Sequence, residues 1–290
     1  MSGIDINRGT TNVVLPQEVS SEIWAATLDE SAIMQLARKI ELPGSGVSVQ
    51  TITGEPVANW VAETGAKPVS NHTFGKKVIT PYKVAVIEAF SDEFARDAEA
   101  LYRECVRRLP NAIAKKFDST VMGTTAPGTG FDVLGGCTQV SLTPESGKTV
   151  YDQFLTVDSN IAAAGGVMNG IGLAPQGKSK VLAAVDGDNR PLFTAGVESG
   201  TINPILGAGV TVAKGLYVAG STDIVGLAGD FTDAAYGIVE GIKLEISNQA
   251  TLVDGDDVIS LWQNNMFAVR VEAEIGFSVR DAAEFNLLTA

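Results

Sequence analysis

Between Ser91 and Met122 the chain carries a single apolar stripe. Phe94, Ala98, Leu101, Cys105, Leu109, Ile113, Phe117 and Val121 recur every three to four residues. That spacing is the period of an α-helix with one buried face. Ser91 is placed to cap it, and Asp92 and Glu93 lie where the positive end of the helix dipole favours acids. At 1.5 Å per residue the pattern spans roughly 45 Å. A kink is expected at Pro110, whose ring cannot continue the hydrogen-bond ladder. A helix of that length with one apolar face, in an otherwise strand-rich sequence, is a spine for other elements to lie across. Cys105 falls on the stripe and reads as an inert core thiol; a disulfide to Cys137 is arithmetically possible but not expected.

Ahead of the spine, Pro16, Val19, Ile23 and Ala26 suit a short helix. Ser31 caps a second, "AIMQLARK", which Pro43-Gly44 closes. "VSVQTITG" then alternates, with Val47, Val49 and Thr51 on one face, and "KKVITPYKVAVIEAF" alternates again. The two runs, separated by about twenty-five turn-rich residues, describe a long hairpin, and stretches of that length inside compact domains usually have a function. The intervening "NWVAETGAKPVSNHTFGKKV" has the composition neither of a core strand nor of a linker.

Beyond the spine, "GTTAPGTGFDVLGG" reads as a connector, and Val150, Phe154, Val157 and Ile161 mark a second amphipathic helix. "VMNGIGLAP" is a strand, and "SKVLAAVDGDNRPLF" a short helix ended by an Asp-Gly turn. From Gly200 to Leu261 short apolar runs between glycines read as sheet strands. In "NMFAVRVEAEIGFSV", Val269, Val271, Ala273, Ile275 and Phe277 take one face and Arg270, Glu272 and Glu274 the other, the pattern of a long half-buried strand.

The 290 residues suffice for one large domain or two modest ones. No run reaches the roughly 18 apolar residues of a membrane span, and no secretory leader is visible, so the expected compartment is the cytosol. A net charge of −13 repels phosphate backbones and argues against direct nucleic-acid binding. Chemistry is sparse. Gly172 to Ser179, "GLAPQGKS", satisfies the phosphate-loop pattern around Lys178, but the helix after it is too short, so chance is the preferred reading. A single histidine, His72, excludes a multi-histidine metal site. Asp186 and Asp188, and Asp254, Asp256 and Asp257, lack a calcium-loop register and read as tight turns. No cofactor, metal or catalytic residue is expected.

The stretch from Glu55 to Ala98 resembles the signature of tailed-bacteriophage major capsid proteins of the Hong Kong 97 type. The matching positions are Trp60, Val61, Glu63, Gly65, Pro68, Ser70, Phe74, Pro81, Lys83, Ala85, Ser91 and Glu93. The N-terminal helical segment is similar to the family's arm. "FAVRVEAEIGFSVRDAAEF", with Arg270, Glu272 and Ala283 to Phe285, is similar to its closing strand. The resemblance implies an α+β fold: an N-terminal arm (1–44), an extended β-hairpin loop (45–90), a peripheral domain with the spine helix (91–135 and 262–290) and an axial domain (136–261). It implies a non-enzymatic shell protein that assembles with itself as hexamers and pentamers into an icosahedral virion capsid around double-stranded DNA. Assembly would occur in the host cytoplasm, with a separate scaffolding protein and a portal, without sequence-specific DNA binding and without a membrane. The alternative sharing the fold is an encapsulin-like nanocompartment shell. Inter-subunit contact is expected from Trp60, Glu63, Lys67, Pro68, Phe74, Lys76 and Lys77. The Trp60 and Phe74 ends would anchor the loop to its own strands, and the Gly-Lys-Pro middle would lie across a neighbour.

Overall fold

The computed structural model describes residues 30–54, 57–61, 63, 66–67, 69–70, 73–97, 99–143, 148–186, 188, 190–192, 202, 204–239, 241–254 and 257–290. The expected helix around Val19 to Ala26 lies outside them. Ser31 does cap a helix, its Oγ accepting from Met34 N at 3.2 Å, but that helix, α1, covers only Ala32–Leu36. Arg38 and Lys39, expected within that helix, belong instead to strand β1 (Arg38–Glu41). Ala37 is extended, and β1 pairs in parallel with β9 (Ala234–Ile238). A sheet partner some two hundred positions away thus overrides local helix propensity.

Strands β2 (Val47–Gly54) and β3 (Thr73–Ile79) form the expected hairpin. The second alternating run proves to be two strands. β3 ends before Thr80-Pro81, and β4 (Tyr82–Ser91) joins a different sheet. The spine follows as α2 (Asp92–Asp97), capped by Ser91 Oγ on Phe94 N at 3.1 Å, and α3 (Glu99–Met122). Pro110 lies within α3 without ending it. Leu109, Ile113, Phe117 and Val121 of the stripe are buried, and the Cys105 side chain falls outside the described residues.

The first sheet is built on β13 (Met266–Val279), whose 14 residues carry the expected alternation. β4 runs antiparallel along one edge, from Met266↔Ser91 to Ile275↔Tyr82. β10 (Lys243–Ser247) and β9 share the other edge, with β1 outside β9. The second sheet runs β5 (Thr138–Ser141), β14 (Phe285–Thr289), β8 (Ile224–Gly229), β6 (Gly170–Leu173), β7 (Gly209–Val212). Helix α4 (Val150–Ala164), opened by a Thr149/Asp152 capping box, packs Val150, Phe154, Val157 and Ile161 on one face of it. The spine cluster covers the other, taking Leu227 and Leu287 while Val225 and Leu288 turn towards α4. Burial on both faces is why β8 reads as a continuous apolar run, and β14 is buried throughout although it carries Asn286 and Thr289.

The sheets do not divide the chain at residues 136 and 261. β9 and β10, from the Gly-rich middle, complete the first sheet, and the C-terminal β14 sits in the second. Two adjacent crossings therefore join them: β8 to β9 through a 3-10 turn at Phe231–Asp233, and β13 to β14 through another at Ala282–Glu284. Arg280 N donates to Asp233 O at 2.9 Å and Asp230 N to Glu284 O at 3.2 Å, which fastens one crossing to the other.

Candidate interaction surfaces

The hairpin is rigid at its base. Gly46 has φ +79°, and a Cβ there would lie 2.5 Å from Ile79 O, so only glycine permits the close turn into β2. Lys77, half-buried, places its Nζ 2.8 Å from Asp132 Oδ2 and also donates to Val279 O. The same Asp132 oxygen accepts from Ser278 Oγ and Val279 N, both at 2.9 Å. Lys77, expected among the inter-subunit contacts, pairs within its own chain, where it ties β3 to the end of β13. Lys76, one position along the strand, is exposed, because successive strand residues face opposite sides.

The far end of the hairpin is apolar and uncovered. Trp60 is fully exposed, Val57 and Val69 are largely so, and Glu63 and Lys67 are also exposed. Val57 N donates to Ser70 Oγ at 2.8 Å and draws the two arms of the loop together. Trp60 was expected to anchor the loop on its own strands; instead it is fully exposed, with no cover from the described residues of its own chain. Phe74 sits in β3 across from Ile52, with its side chain outside the described residues, as are Pro68 and His72. A tryptophan offers roughly 150–250 Å² of burial, so such a side chain left in water marks a contact surface.

A second uncovered patch went unnoticed in the sequence. β11 (Thr251–Asp254) and β12 (Asp257–Ser260) form a hairpin that exposes Val253 and Val258, with Trp262 exposed just beyond. The signal was there: Asp254-Gly255 between apolar runs is a strong hairpin marker.

Two buried acid sites are structural. Asp118 on α3 is fully buried and accepts from Ser31 Oγ at 2.6 Å and from Ala32 N at 3.1 Å, docking α1 on the spine. Burial pushes its carboxyl up to about 7 against the opposing pull of those donors. At the paired crossings, Arg280 lies 2.5 Å from Asp233 Oδ2 and 3.4 Å from Glu284 Oε1. Burial, reinforced by the hydrogen-bonded Asp233 carboxylate and offset by Arg280, pushes Glu284 up to about 7.

The phosphate-loop pattern has no phosphate-loop geometry. β6 ends at Leu173 and helix α5 begins at Pro175, so Gly177, Lys178 and Ser179 lie inside α5 (Pro175–Leu182) instead of in a cradle before it. Gly177 is small because a Cβ would meet Val225 O at 2.5 Å, and Ser179 Oγ donates to Pro175 O at 3.0 Å. Asp186 Oδ1 accepts from the amides of Asp188 and Arg190, at 2.9 and 2.8 Å, as a tight turn requires. Among the described residues no three His, Cys, Asp or Glu side chains gather as a metal site, and no helix is long and apolar enough to cross a membrane.

The chain is similar to known proteins in both sequence and fold. The phage capsid family matches residues 11–290. The probable major capsid protein gp17 of Mycobacterium phage L5 is 31% identical over 292 residues, covering 95% of this chain and 89% of that protein. Its counterpart in Mycobacterium phage D29 is 30% identical over 288 residues, with the same coverage of 95% and 89%. A solved chain from Mycobacterium phage Ogopogo shares the fold, with a TM-score of 0.74 over 90% of this chain and 92% of that one, at 17% identity.

Proposed function

This chain belongs to the phage capsid family, and from that premise we propose that its copies assemble as hexamers and pentamers into an icosahedral shell enclosing a double-stranded DNA genome. The observation that carries the reading is the hairpin: rigid at its base through Gly46 and Lys77–Asp132, apolar and uncovered at its far end around Trp60. A surface of that kind is covered by another copy, and closed symmetry lets modest contacts add up over many subunits.

In this reading the organisation is of the Hong Kong 97 type. The segment up to residue 44 is the arm and β2–β3 with its loop the extended hairpin. The spine with the first sheet forms the peripheral domain, and the second sheet with α4 and α5 the axial domain. The neighbour is touched by Trp60, Glu63, Lys67, Pro68, Phe74, Lys76 and the still partly exposed Lys77. A separate scaffolding protein and a portal take part, and assembly occurs in the host cytoplasm. The role is structural, and the −13 net charge keeps enclosed DNA from adsorbing to the wall.

Electron microscopy of the purified chain, alone and with its phage's scaffolding protein, tests the proposal. Closed shells with five- and six-fold clusters are expected. Shells that instead retain a host enzyme through a tail peptide would identify a nanocompartment, and persistent monomers under both conditions would overturn either kind of shell.

A further inference from the structure

A cleft of about 420 Å³ opens beside the spine helix. Phe117 of α3, Phe131 of the following connector and Ile275 of β13 line it and are buried. The aromatic lining is ordered: Tyr82 and Phe117 each stand edge-on to Phe131, with ring centroids 6.3 Å apart in both pairs. Tyr82 also donates its hydroxyl to Thr129 O at 2.8 Å, which fixes that wall. Lys83 and Lys116, both exposed, stand at the mouth. An apolar cleft with a basic rim is a distinct feature on a chain of net charge −13.

The same chain presents an apolar knob without cover, Trp60, with the exposed acid Glu63 three positions on. Trp60 is fully exposed and does not line the cleft of its own chain. The 7 residues of β3 separate the loop from Thr80, a span of about 23 Å at strand rise, and Lys77–Asp132 pins the near end of that strand. A second copy, displaced by about the length of the hairpin, brings the two surfaces together.

We propose that Trp60 of one copy inserts into the Tyr82–Phe117–Phe131 cleft of its neighbour, with Glu63 meeting Lys116 on the rim. The inference rests on the reading that the hairpin crosses a neighbouring subunit, and names where it lands. Offset and edge-to-face ring packing is available to an indole among these side chains, and a rim lysine over the indole face adds a cation–π contact. Lys83 already lies 3.5 Å from both Glu272 and Glu274, which leaves Lys116 as the partner of Glu63. Knob and cleft are different surfaces of one molecule, so the contact is heterologous and propagates round a ring of subunits. A buried tryptophan in a desolvated pocket is the usual form of an interface hot spot.

The test places the photoreactive residue benzoylphenylalanine at position 60 and assembles a mixture of isotopically labelled and unlabelled chains. Cross-links from position 60 to residues 82–85, 116–120 or 127–131 of another copy are expected. Cross-links to another part of a neighbour would overturn the cleft while leaving the crossing hairpin in place. Assembled particles with no cross-link between copies would overturn both. Ala85→Trp gives an independent arm, because Ala85 lines the cleft yet is exposed, so the substitution blocks the site without burdening the core. It should raise the concentration needed for assembly by about tenfold or more, the scale of a lost hot spot, with the melting temperature of the unassembled chain unchanged. Unaltered assembly of Ala85→Trp would sink the proposed docking.

Discussion

The Ser31 hydroxyl donates to the Asp118 carboxylate at 2.6 Å across 87 positions of the chain, and both residues are fully buried. One carboxylate thus orders the segment leading into β1 by capping α1 from outside, while Ser31 caps the same helix from within. This junction joins the N-terminal part of the described chain to the middle of the spine.

Its stability should depend on pH with a definite sign. The folded pKa of Asp118, about 7, lies above its ordinary value of 3.8, so between those values the folded state holds a proton that the unfolded chain has released. Stability therefore falls as pH rises from about 4 to about 7 and levels off above that. Glu284, raised to about 7, acts in the same direction. Asp118→Asn keeps the shape and removes the titration. The difference in melting temperature between Asp118→Asn and the parent chain should grow in favour of the variant from pH 5 to pH 8. A difference independent of pH would show that Asp118 titrates normally.

The hairpin base distinguishes two substitutions that look equivalent. Lys77→Ala removes one partly exposed ion pair and should cost about 1 kcal/mol or less. Asp132→Ala also strands the Ser278 hydroxyl and the Val279 amide, both nearly buried, and should cost about 2–3 kcal/mol. Urea unfolding of the unassembled chain measures both. Equal losses would mean that Asp132 acts only through Lys77.

Within the apparent phosphate loop the glycine matters and the lysine does not. Gly177→Ala forces a Cβ against Val225 O and should destabilise by about 1–3 kcal/mol as an overpacked contact. Lys178→Ala should leave both stability and assembly as they were. Calorimetric titration of the parent chain with ATP and GTP should give no heat of binding, and binding lost in Lys178→Ala would restore the nucleotide reading.

Elements whose signal is periodic are legible in the sequence. The stripe from Leu109 to Val121, the Val150–Ile161 face of α4, the alternation of β13 and the antiparallel start of the hairpin all follow from where successive Cβ atoms point in a helix or strand. Arg38 and Lys39 look like the end of α1 because nothing local distinguishes them from it; their extended state comes from β9. Lys77 and Lys76 are identical in sequence terms, and only the approach of Asp132 separates an internal tie from an exposed charge.

What the sequence determined by itself was therefore the strongly periodic elements, together with the family to which their order belongs, because both are written in residue types at fixed spacing. The tertiary structure alone decided that β9 and β14 change sheets, that Asp118 is buried under Ser31, and that Trp60 stands uncovered. Those facts depend on contacts between residues tens to hundreds of positions apart. Whether a polar group finds a partner, or an indole finds cover, is set by what the rest of the chain brings to it, and no local period encodes that.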